Sequence, residues 1–575
     1  MANYIFIFGG GYSGLGKGVV TASIANLLKR NGYNIKIIKI DPYFNFGAGD
    51  QNPNEHGEVF VTEDGGEVDQ DFGHYERFTA ISCLAEQNIT SGKIFWSVIN
   101  KGLKGRYLGK TIQLIPHVRD EVKRTIYQAT NNCDFAIVEI GGTIGDDESL
   151  IFIRAIASMI YEDNVKAALI VLVPLIYNES VGEPKTKIAQ NAIRTFGEFG
   201  LKPDFLILRT STKELLDEKR KNKLQIFCNM KKECIFNDPD LSTPYLLPKI
   251  FSEQNLDKAL LEFFNLPQKI VSVEYEKFIT KLDQKIKIPI AYIGKYIKEG
   301  EGVHKDAYIS VEEALKRACI EHSFLPEIWR IDAENCENSD LSFLKNVGGI
   351  IIPGGYGSRG FEGKIAAIKY ARENKIPLLG LCLGLQLLVV EFARNVCGIK
   401  EAHTDEQDEE IACKNPAGHV VCALPEQEKI RAEQGFINTQ RLGDFAYVVK
   451  DPEIKEIYEK FGRPDICELD KIKKYPKFRL GKFSDKDFVV IERHRHRREI
   501  NPTFIDTLIK NGLKIVGSHE TVDGTLLIEA AKIEDLPIIA TQFHPEFTSN
   551  FLRPNPYFYW FADKCKERAL ILKKI

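Results

Sequence analysis

The sequence lacks the features that mark membrane-spanning, secreted and zinc-clustered proteins. No apolar run approaches the roughly 20 residues that a helix needs to cross a bilayer. The first residues show neither the basic region nor the cleavage site of a signal peptide. The 12 cysteines contain no C-x-x-C pair, which gives no sign of a zinc site or a disulfide framework. With 77 basic and 80 acidic residues, the chain has no general attraction to nucleic acid or to an anionic membrane. We expect a cytoplasmic protein that binds neither.

The length and the patterning predict two domains. A chain of 575 residues is long enough for two or three cores. Two stretches of alternating apolar strands and helical segments are separated by a charged, weakly patterned segment. We therefore predict an α/β fold with two doubly wound parallel-sheet domains, at residues 1–266 and 288–575, joined by a linker at 267–287.

A glycine-rich loop follows the first apolar strand. Gly11, Gly16 and Lys17 have the P-loop spacing, and a helical stretch begins directly after them. Backbone N–H groups and the helix dipole at such a turn bind phosphate oxygens. Position 18 is glycine, where a P-loop has the hydroxyl that touches Mg²⁺, so carboxylates elsewhere are predicted to hold the metal. The alternative is a glycine turn that only starts a helix.

Acidic residues near two strand ends are the candidates for that metal. Glu139 lies near the end of an apolar strand, and Asp71 lies in an acidic segment at 62–77. Ligands gather at the carboxyl ends of parallel strands, and Mg²⁺ prefers carboxylate oxygens. We predict Asp71 and Glu139 as magnesium ligands. Solvated surface acids are the alternative.

A cysteine in the second half stands in the nucleophile-elbow pattern. Gly380, Cys382 and Gly384 match G-x-S-x-G with sulfur as the nucleophile, between an apolar strand and a helical stretch. His544 and Glu546 follow a late apolar strand and can serve as base and orienting group. The N–H groups of Leu383 and Gly355 are predicted to bind an oxyanion. A buried structural cysteine is the alternative.

The basic segment at 491–498 has two interpretations from the residues alone. Its four arginines and two histidines could form a nucleic-acid patch or a localisation signal. It is one short run in a near-neutral chain, however, and it follows apolar residues. A solvated face is the favoured alternative.

Taken together, the motifs resemble the CTP synthase family over nearly the whole chain. The family pattern is visible in the first half at residues 13–18, 39–43, 56–65, 71–78, 107–117 and 139–146, and in the second half at 353–357, 380–386, 492–497 and 542–547. Their order and spacing are very specific. The resemblance implies an amidoligase domain followed by a class I glutamine amidotransferase domain.

The same resemblance implies the reaction and its participants. The family aminates UTP at the pyrimidine 4-position with ATP and ammonia from glutamine, through a 4-phosphorylated UTP intermediate, in pyrimidine nucleotide biosynthesis. It implies Mg²⁺ with ATP, GTP as an allosteric activator, CTP as an inhibitor, a homotetramer, filaments in many members and an internal ammonia path.

The family's positions are carried over to matching residues of this chain. ATP is expected at Gly14, Leu15, Gly16, Lys17, Gly18, Val19, Lys39 and Asp71. UTP or CTP is expected at Ser13, Asp146, Asp147, Glu148, Lys185, Thr186, Lys187, Ile188, Ala189, Gln190 and Lys223. Glutamine is expected at Gly355, Leu383, Gly384, Leu385, Gln386, Glu406 and Arg497. Arg497 in the basic segment is thus interpreted as a substrate contact.

Some segments depart from the family pattern, and two rival functions stay open. The departures lie at residues 11–12, 41–53, 188–189 and 237–241, around Glu406, and at 435–443. One rival is a related amidoligase with another acceptor, such as a cofactor carboxylate. The other is a nucleotide-sensing scaffold that forms filaments without turnover.

Overall fold

A computed structural model gives the fold of the chain. It describes residues 2–12, 14–178, 183–212, 216–269, 272–297, 306–406, 418–423, 440–461 and 476–572. The predicted nucleotide contact Ser13 lies outside the described residues.

Strands and helices alternate along most of the chain. The strands are β1 (Asn3–Gly9), β2 (Ile35–Asp41), β3 (Phe60–Val61), β4 (Glu67–Val68), β5 (Asn88–Thr90), β6 (Phe135–Ile140), β7 (Ala167–Asn178), β8 (Glu183–Lys185), β9 (Phe205–Thr210), β10 (Ile235–Asp238), β11 (Lys287–Gly294), β12 (Leu325–Asp332), β13 (Gly349–Ile352), β14 (Leu378–Leu381), β15 (His403–Thr404), β16 (His419–Cys422), β17 (Arg441–Val449), β18 (Val489–His496), β19 (Glu499–Ile500), β20 (Leu513–Glu520), β21 (Leu526–Ile533) and β22 (Ile538–Thr541). The helices are α1 (Lys17–Arg30), α2 (Pro53–His56), α3 (Asp71–Thr79), α4 (Ser91–Leu103), α5 (Arg119–Ala129), α6 (Leu150–Tyr161), α7 (Lys187–Glu198), α8 (Glu218–Cys228), α9 (Leu247–Glu253), α10 (Leu256–Phe263), α11 (Glu274–Thr280), α12 (Ile309–Glu321), α13 (Phe361–Glu373), α14 (Leu383–Asn395), α15 (Pro452–Phe461), α16 (Ile505–Lys510) and α17 (Pro556–Ile571).

The chain folds into two units. The first contains residues 1–51 and 67–279, and the second contains residues 52–66 and 280–575. The predicted boundaries, with domains at 1–266 and 288–575 and a linker at 267–287, stay a prediction. Within 267–287 the structure has helix α11 and the first residue of β11.

The first unit is built on one parallel sheet. Its strand order is β10-β9-β7-β1-β6-β2-β5, and β8 pairs with β7 in the antiparallel direction. Residues 4–9 of β1 and all of β6 are buried, as expected when helices cover both faces of a parallel sheet. The carboxyl ends of β1, β2 and β6 therefore meet at one edge and position the candidate phosphate site.

The second unit has a mixed sheet in the order β12-β11-β13-β14-β22-β21-β20-β17-β18. The five strands from β12 to β22 are parallel, and those from β22 to β18 pair in the antiparallel direction. Along β11, Ile290 and Tyr292 enter one apolar cluster while Ala291 and Ile293 enter another, so both faces are covered. The predicted α/β class with two sheets is confirmed. The sequence pattern predicted parallel strands only, and it did not predict the antiparallel half of the second sheet.

A segment from the first half of the sequence belongs to the second unit. Glu58 accepts a hydrogen bond from the Ser310 N–H at 3.2 Å. The carbonyl of Val61 accepts one from Arg493 Nη1 at 3.1 Å. Phe60 packs edge-on against Phe547 with 4.9 Å between ring centroids. Residues 52–66 are thus built into the second unit, although they precede the rest of it by more than 200 positions in the sequence. In the part of the chain that the structure describes, no helix is both long and apolar enough to cross a membrane.

Candidate active sites

The glycine-rich loop of the first unit connects β1 to α1. Gly14 and Gly16 have φ angles of 76° and 86°, in the left-handed region that glycine adopts most easily. Apart from the chain neighbours, no atom of the described residues lies within 4 Å of a Cβ built on either glycine, so backbone conformation rather than crowding requires them. The loop borders a cavity of about 180 Å³. Its lining is Gly14, Leu15, Gly16, Val19, Arg209, Asp238, Leu241, Pro244 and Leu247.

Lys17 occupies the first position of α1. Its Nζ donates to the Gly142 carbonyl oxygen at 3.0 Å. Burial lowers the pKa of the Lys17 ammonium, and Glu139 opposes that shift. A cation at the N-terminus of a helix adds to the positive potential there, which favours a bound phosphate.

Lys39 lies at the centre of a buried group of carboxylates. Its Nζ contacts Asp71, lies 3.1 Å from Glu139 Oε1 and 3.6 Å from Asp69 Oδ1, and has Asp41 3.9 Å away. Burial alone would lower the pKa of Lys39, but these carboxylates together raise it well above its ordinary value. Burial raises the pKa of Glu139, whose Oε2 accepts from the Tyr75 hydroxyl at 2.6 Å.

Asp71 explains why position 18 is glycine. A Cβ on Gly18 would overlap the Asp71 carboxylate. In a P-loop that space holds a Ser or Thr side chain that touches Mg²⁺. Here a carboxylate, a ligand type that hard cations prefer, occupies the same place from the N-terminus of α3.

The donor set fits Mg²⁺ bound together with phosphates. Among the described residues, no group of three or more His, Cys, Asp or Glu is arranged to hold a metal by itself. Mg²⁺ in phosphate-transferring sites usually has only one or two carboxylate ligands and takes the rest from water and phosphate. Asp71 and Glu139 meet that requirement, since both reach the same Lys39 Nζ.

The residues predicted to contact a pyrimidine nucleotide lie in three places. Asp146, Asp147 and Glu148 are exposed after β6, and the latter two line a cavity of about 500 Å³. The rest of its lining is Pro42, Phe44, Ser91, Phe95, Leu114, Ile115, Leu150, Ile151 and Arg154.

The other two groups lie on β8 with α7, and on α8. Lys185 ends β8, Thr186 and Ala189 are buried, and Lys187, Ile188 and Gln190 lie in the first turn of α7. Ala189 is fully buried in the apolar core, so its side chain packs inside the unit. Lys223 is exposed on α8. The structure does not bring Lys223 into either cavity described above.

In the second unit Cys382 stands between β14 and α14 in a strained conformation. Its φ is 51° and its ψ is −101°, which is rare for a residue with a side chain. Gly380 permits the turn, because a Cβ there would lie 2.9 Å from the Ala540 Cβ and 2.9 Å from the Gly384 carbonyl carbon. The Cys382 N–H donates to the Thr541 carbonyl at 2.7 Å. This is the geometry of a nucleophile elbow.

His544 and Glu546 follow β22, the strand next to β14. His544 Nδ1 lies 2.7 Å from Glu546 Oε1. A Cβ on Gly354 would lie 3.1 Å from His544 Cε1 and 3.6 Å from Cys382 Cβ, so the imidazole and the cysteine face the same glycine. Burial lowers the pKa of His544, but Glu546 and the Cys382 sulfur raise it to about 10. The imidazole is thus prepared to hold a proton taken from the thiol.

Two N–H groups are candidates for binding an incoming oxygen. The described residues offer no acceptor to the Leu383 N–H, in the first turn of α14, or to the Gly355 N–H. Gly355 has a φ of 154° and belongs to the loop at 353–357, which runs past the cysteine. Two such donors are what an oxyanion hole requires.

Of the other predicted glutamine contacts, Glu406 and Arg497 lie against that loop, and Gly384, Leu385 and Gln386 lie on α14. Glu406 accepts from the Gly357 N–H at 2.8 Å, and the Arg497 guanidinium lies 5.4 Å from the Tyr356 ring centroid. Gln386 donates to the Arg498 carbonyl at 3.3 Å. Leu385 is fully buried in the apolar core, and Gly384 packs closely on Ile352, so only their backbones could reach a ligand.

Several residues beside the two sites were not predicted. In the second unit these are Lys295, Tyr296, Tyr356, Lys364 and Gln542, and in the first unit Asp41, Asp69, Tyr75, Arg209 and Asp238. Lys295 had a detectable signal, because it directly follows β11 at the carboxyl edge of the parallel strands. Lys364 lies inside a helical pattern and gave none.

Two family models cover most of the chain, and known proteins match it over nearly its full length. The model of the CTP synthase N-terminus matches residues 3–266, and the model of class-I glutamine amidotransferases matches residues 303–564. A CTP synthase of Caldanaerobacter subterraneus is 41% identical over 567 residues, covering 97% of each chain. One of Pyrococcus furiosus is 40% identical over 573 residues, covering 99% of this chain and 98% of the other.

A solved structure of the Trypanosoma brucei CTPS glutaminase domain with bound acivicin is 28% identical. It covers 49% of this chain and 94% of its own, with a TM-score of 0.38. Identity near 40% over nearly the full length of the two relatives above, together with the two matching family models, leaves one assignment. The chain belongs to the CTP synthase family.

Proposed function

We propose that this protein converts UTP, ATP and glutamine into CTP, ADP, phosphate and glutamate. One observation carries the proposal: the chain combines a strained Cys382 beside the His544–Glu546 pair with a Lys39–Asp71–Glu139 cluster next to a phosphate loop. The first set can release ammonia from an amide, and the second can bind transferring phosphate. A protein with only one of these two activities would not need both sets of residues.

In the glutaminase half, His544 takes the proton of the Cys382 thiol and Glu546 stabilises the imidazolium through Nδ1. The sulfur attacks the carboxamide carbon of glutamine, and the oxygen that becomes negative is stabilised by the N–H groups of Leu383 and Gly355. His544 then gives its proton to the departing nitrogen, so ammonia leaves and a thioester remains. Water hydrolyses the thioester, releasing glutamate and restoring the thiol.

In the amidoligase half, the uracil 4-oxygen attacks the γ-phosphorus of ATP, ADP departs, and the proton on uracil N3 is lost. The oxygen thereby becomes part of a good leaving group. Ammonia adds at carbon 4, a proton is lost, and phosphate leaves as CTP forms. Lys17 at the start of α1 and Lys39 neutralise charge on the transferring group. Asp71 and Glu139 would hold Mg²⁺, which supplies further neutralisation of the phosphate charge.

CTP formation measured with glutamine and with ammonia, each with and without ATP, tests this function. We expect CTP from either nitrogen source, and only when ATP is present. Release of ADP and glutamate without CTP would favour a related amidoligase with another acceptor. Nucleotide binding and polymerisation without either product would favour the scaffold.

We also propose that copies of the chain assemble, as the family resemblance implies a homotetramer. Several apolar side chains of the first unit are exposed along α4 and the segment after it. These are Trp96, Ile99, Leu103, Leu108, Ile112 and Leu114, from 41% to 89% exposed. A patch of this kind favours burial against another protein surface. Light scattering of the purified chain should give four times the 65.2 kDa chain mass, and a monomer mass at working concentrations would contradict this.

The family resemblance also implies effects of two other nucleotides, CTP and GTP. The cavity at Asp147 and Glu148 offers aromatic walls, Phe44 and Phe95, whose rings stack at 5.4 Å. That lining suits a nucleotide base and supports inhibition by CTP. Activation by GTP, filament formation and a cytoplasmic location stay predictions from the sequence.

A further inference from the structure

Lys364 is an unusual residue to find inside a protein. Its side chain is 0% exposed, and the ion pairs of the described residues on its helix involve Lys369 and Arg372 rather than Lys364. Its hydrogen bond is to a neutral acceptor, the carbonyl oxygen of Pro353 at 2.8 Å. Burial, and then repulsion from Lys295, lower the pKa of Lys364 well below its ordinary value. An apolar side chain of similar volume would be at least as stable there, so packing does not explain the lysine.

The carbonyl that accepts from Lys364 indicates the role of this lysine. The Pro353 carbonyl belongs to the peptide that immediately precedes the Gly354–Gly355 peptide, and the latter carries the Gly355 N–H of the candidate oxyanion hole. Two glycines in succession have no Cβ to restrict their rotation. The peptide between them can turn its N–H away from Cys382 unless the peptides on either side of it are fixed.

The peptides that follow the Gly354–Gly355 peptide are also held by hydrogen bonds. The Tyr356 N–H donates to the Tyr296 hydroxyl at 3.3 Å. The next peptide is held at both ends: Lys295 Nζ donates to the Tyr356 carbonyl at 3.3 Å, and the Gly357 N–H donates to Glu406 at 2.8 Å. Lys295 also contacts the Gly357 carbonyl. The Gly354–Gly355 peptide is therefore flanked by polar anchors in both directions.

We propose that Lys364 is a positioning residue that holds the Gly355 N–H toward the reacting oxygen by fixing the Pro353 carbonyl. Lys295 and Tyr296 fix the other side of the same peptide. The inference rests on the proposed glutaminase function. Lys364 acts through the loop at 353–357 and takes no part in proton transfer.

The test compares a reaction that needs the oxyanion hole with one that does not. Lys364→Met removes the donor and keeps a chain of similar length. We expect kcat for glutamine hydrolysis to fall roughly 100-fold, as for loss of one oxyanion donor, with KM little changed. Binding of a glutamate γ-aldehyde analogue, which forms a tetrahedral adduct with the thiol, should weaken in parallel. Alkylation of Cys382 by iodoacetamide forms no oxyanion, so its rate should stay that of the wild type.

Lys369→Met is the matched control, because Lys369 lies on the same helix but is about half exposed; it should leave all three measurements unchanged. A wild-type kcat in Lys364→Met would overturn the proposal. An equal loss of hydrolysis and alkylation would also overturn it, because Lys364 would then act on the Cys382 thiol and not on the loop. Should Lys364→Met fail to fold, Tyr296→Phe tests the same peptide from its other side, and wild-type hydrolysis there would count against the proposal. A wild-type protein that hydrolyses no glutamine would instead refute the proposed function.

Discussion

Replacing Cys382 with alanine is expected to abolish CTP synthesis from glutamine and to leave synthesis from ammonia intact. The substitution removes the atom that attacks the carboxamide, and a nucleophile and its base act as a unit, so the loss should be on the order of 10⁴-fold or more. No step of the amidoligase half uses the sulfur, so externally supplied ammonia should still be converted. Initial rates of CTP formation with saturating glutamine, and with ammonium salt at a pH that leaves free ammonia, measure the two activities.

Cys397→Ala provides the matched control for this prediction. Cys397 is a partly buried thiol just beyond the end of α14, and burial raises its pKa, so it is a poor nucleophile. This variant should keep both activities. An equal loss of glutamine-dependent and ammonia-dependent synthesis in Cys382→Ala would contradict separate sites in the two units.

The proposed catalytic groups could be singled out from the sequence because the local turn and strand patterns that position them are visible there. Gly380 and Gly384 are needed at the turn itself, where added side chains would overlap neighbouring backbone. His544 was predictable because it follows a strand that can lie beside β14, and those two strands are indeed adjacent and parallel. Lys39 and Glu139 were singled out separately in the sequence, and the structure pairs them in register on β2 and β6.

What could not be predicted depends on packing between distant segments. Lys364 lies on a face of α13 that becomes buried only when the helix covers the sheet, and nothing in its sequence neighbourhood differs from a solvated lysine. The transfer of residues 52–66 into the second unit depends on partners such as Ser310 and Arg493, which lie hundreds of positions away. The spacing of a motif carries no information on such partners.

Asp71→Asn is expected to remove ammonia-dependent CTP synthesis while Cys382 keeps its reactivity. The change deletes a negative charge from the site proposed to hold Mg²⁺ beside Lys17 and Lys39, and it removes one of only two proposed ligands. We expect a loss well beyond the roughly 10-fold to 100-fold seen when residues that merely support a metal ligand are changed. The Mg²⁺ concentration needed for half-maximal ATP binding should rise as well. The rate of CTP synthesis from ammonia measures the first effect, and titration of ATP binding with Mg²⁺ measures the second.

Gly18→Ala tests the same site without changing any charge, because its new Cβ would overlap the Asp71 carboxylate and displace it. It should therefore reproduce the Mg²⁺ shift of Asp71→Asn. Glu162→Gln is the control: it neutralises an exposed carboxylate paired with Arg119 and should behave as the wild type. If Gly18→Ala and Asp71→Asn keep wild-type Mg²⁺ dependence, the carboxylate at Asp71 does not replace the P-loop hydroxyl, and the metal must be held by other groups.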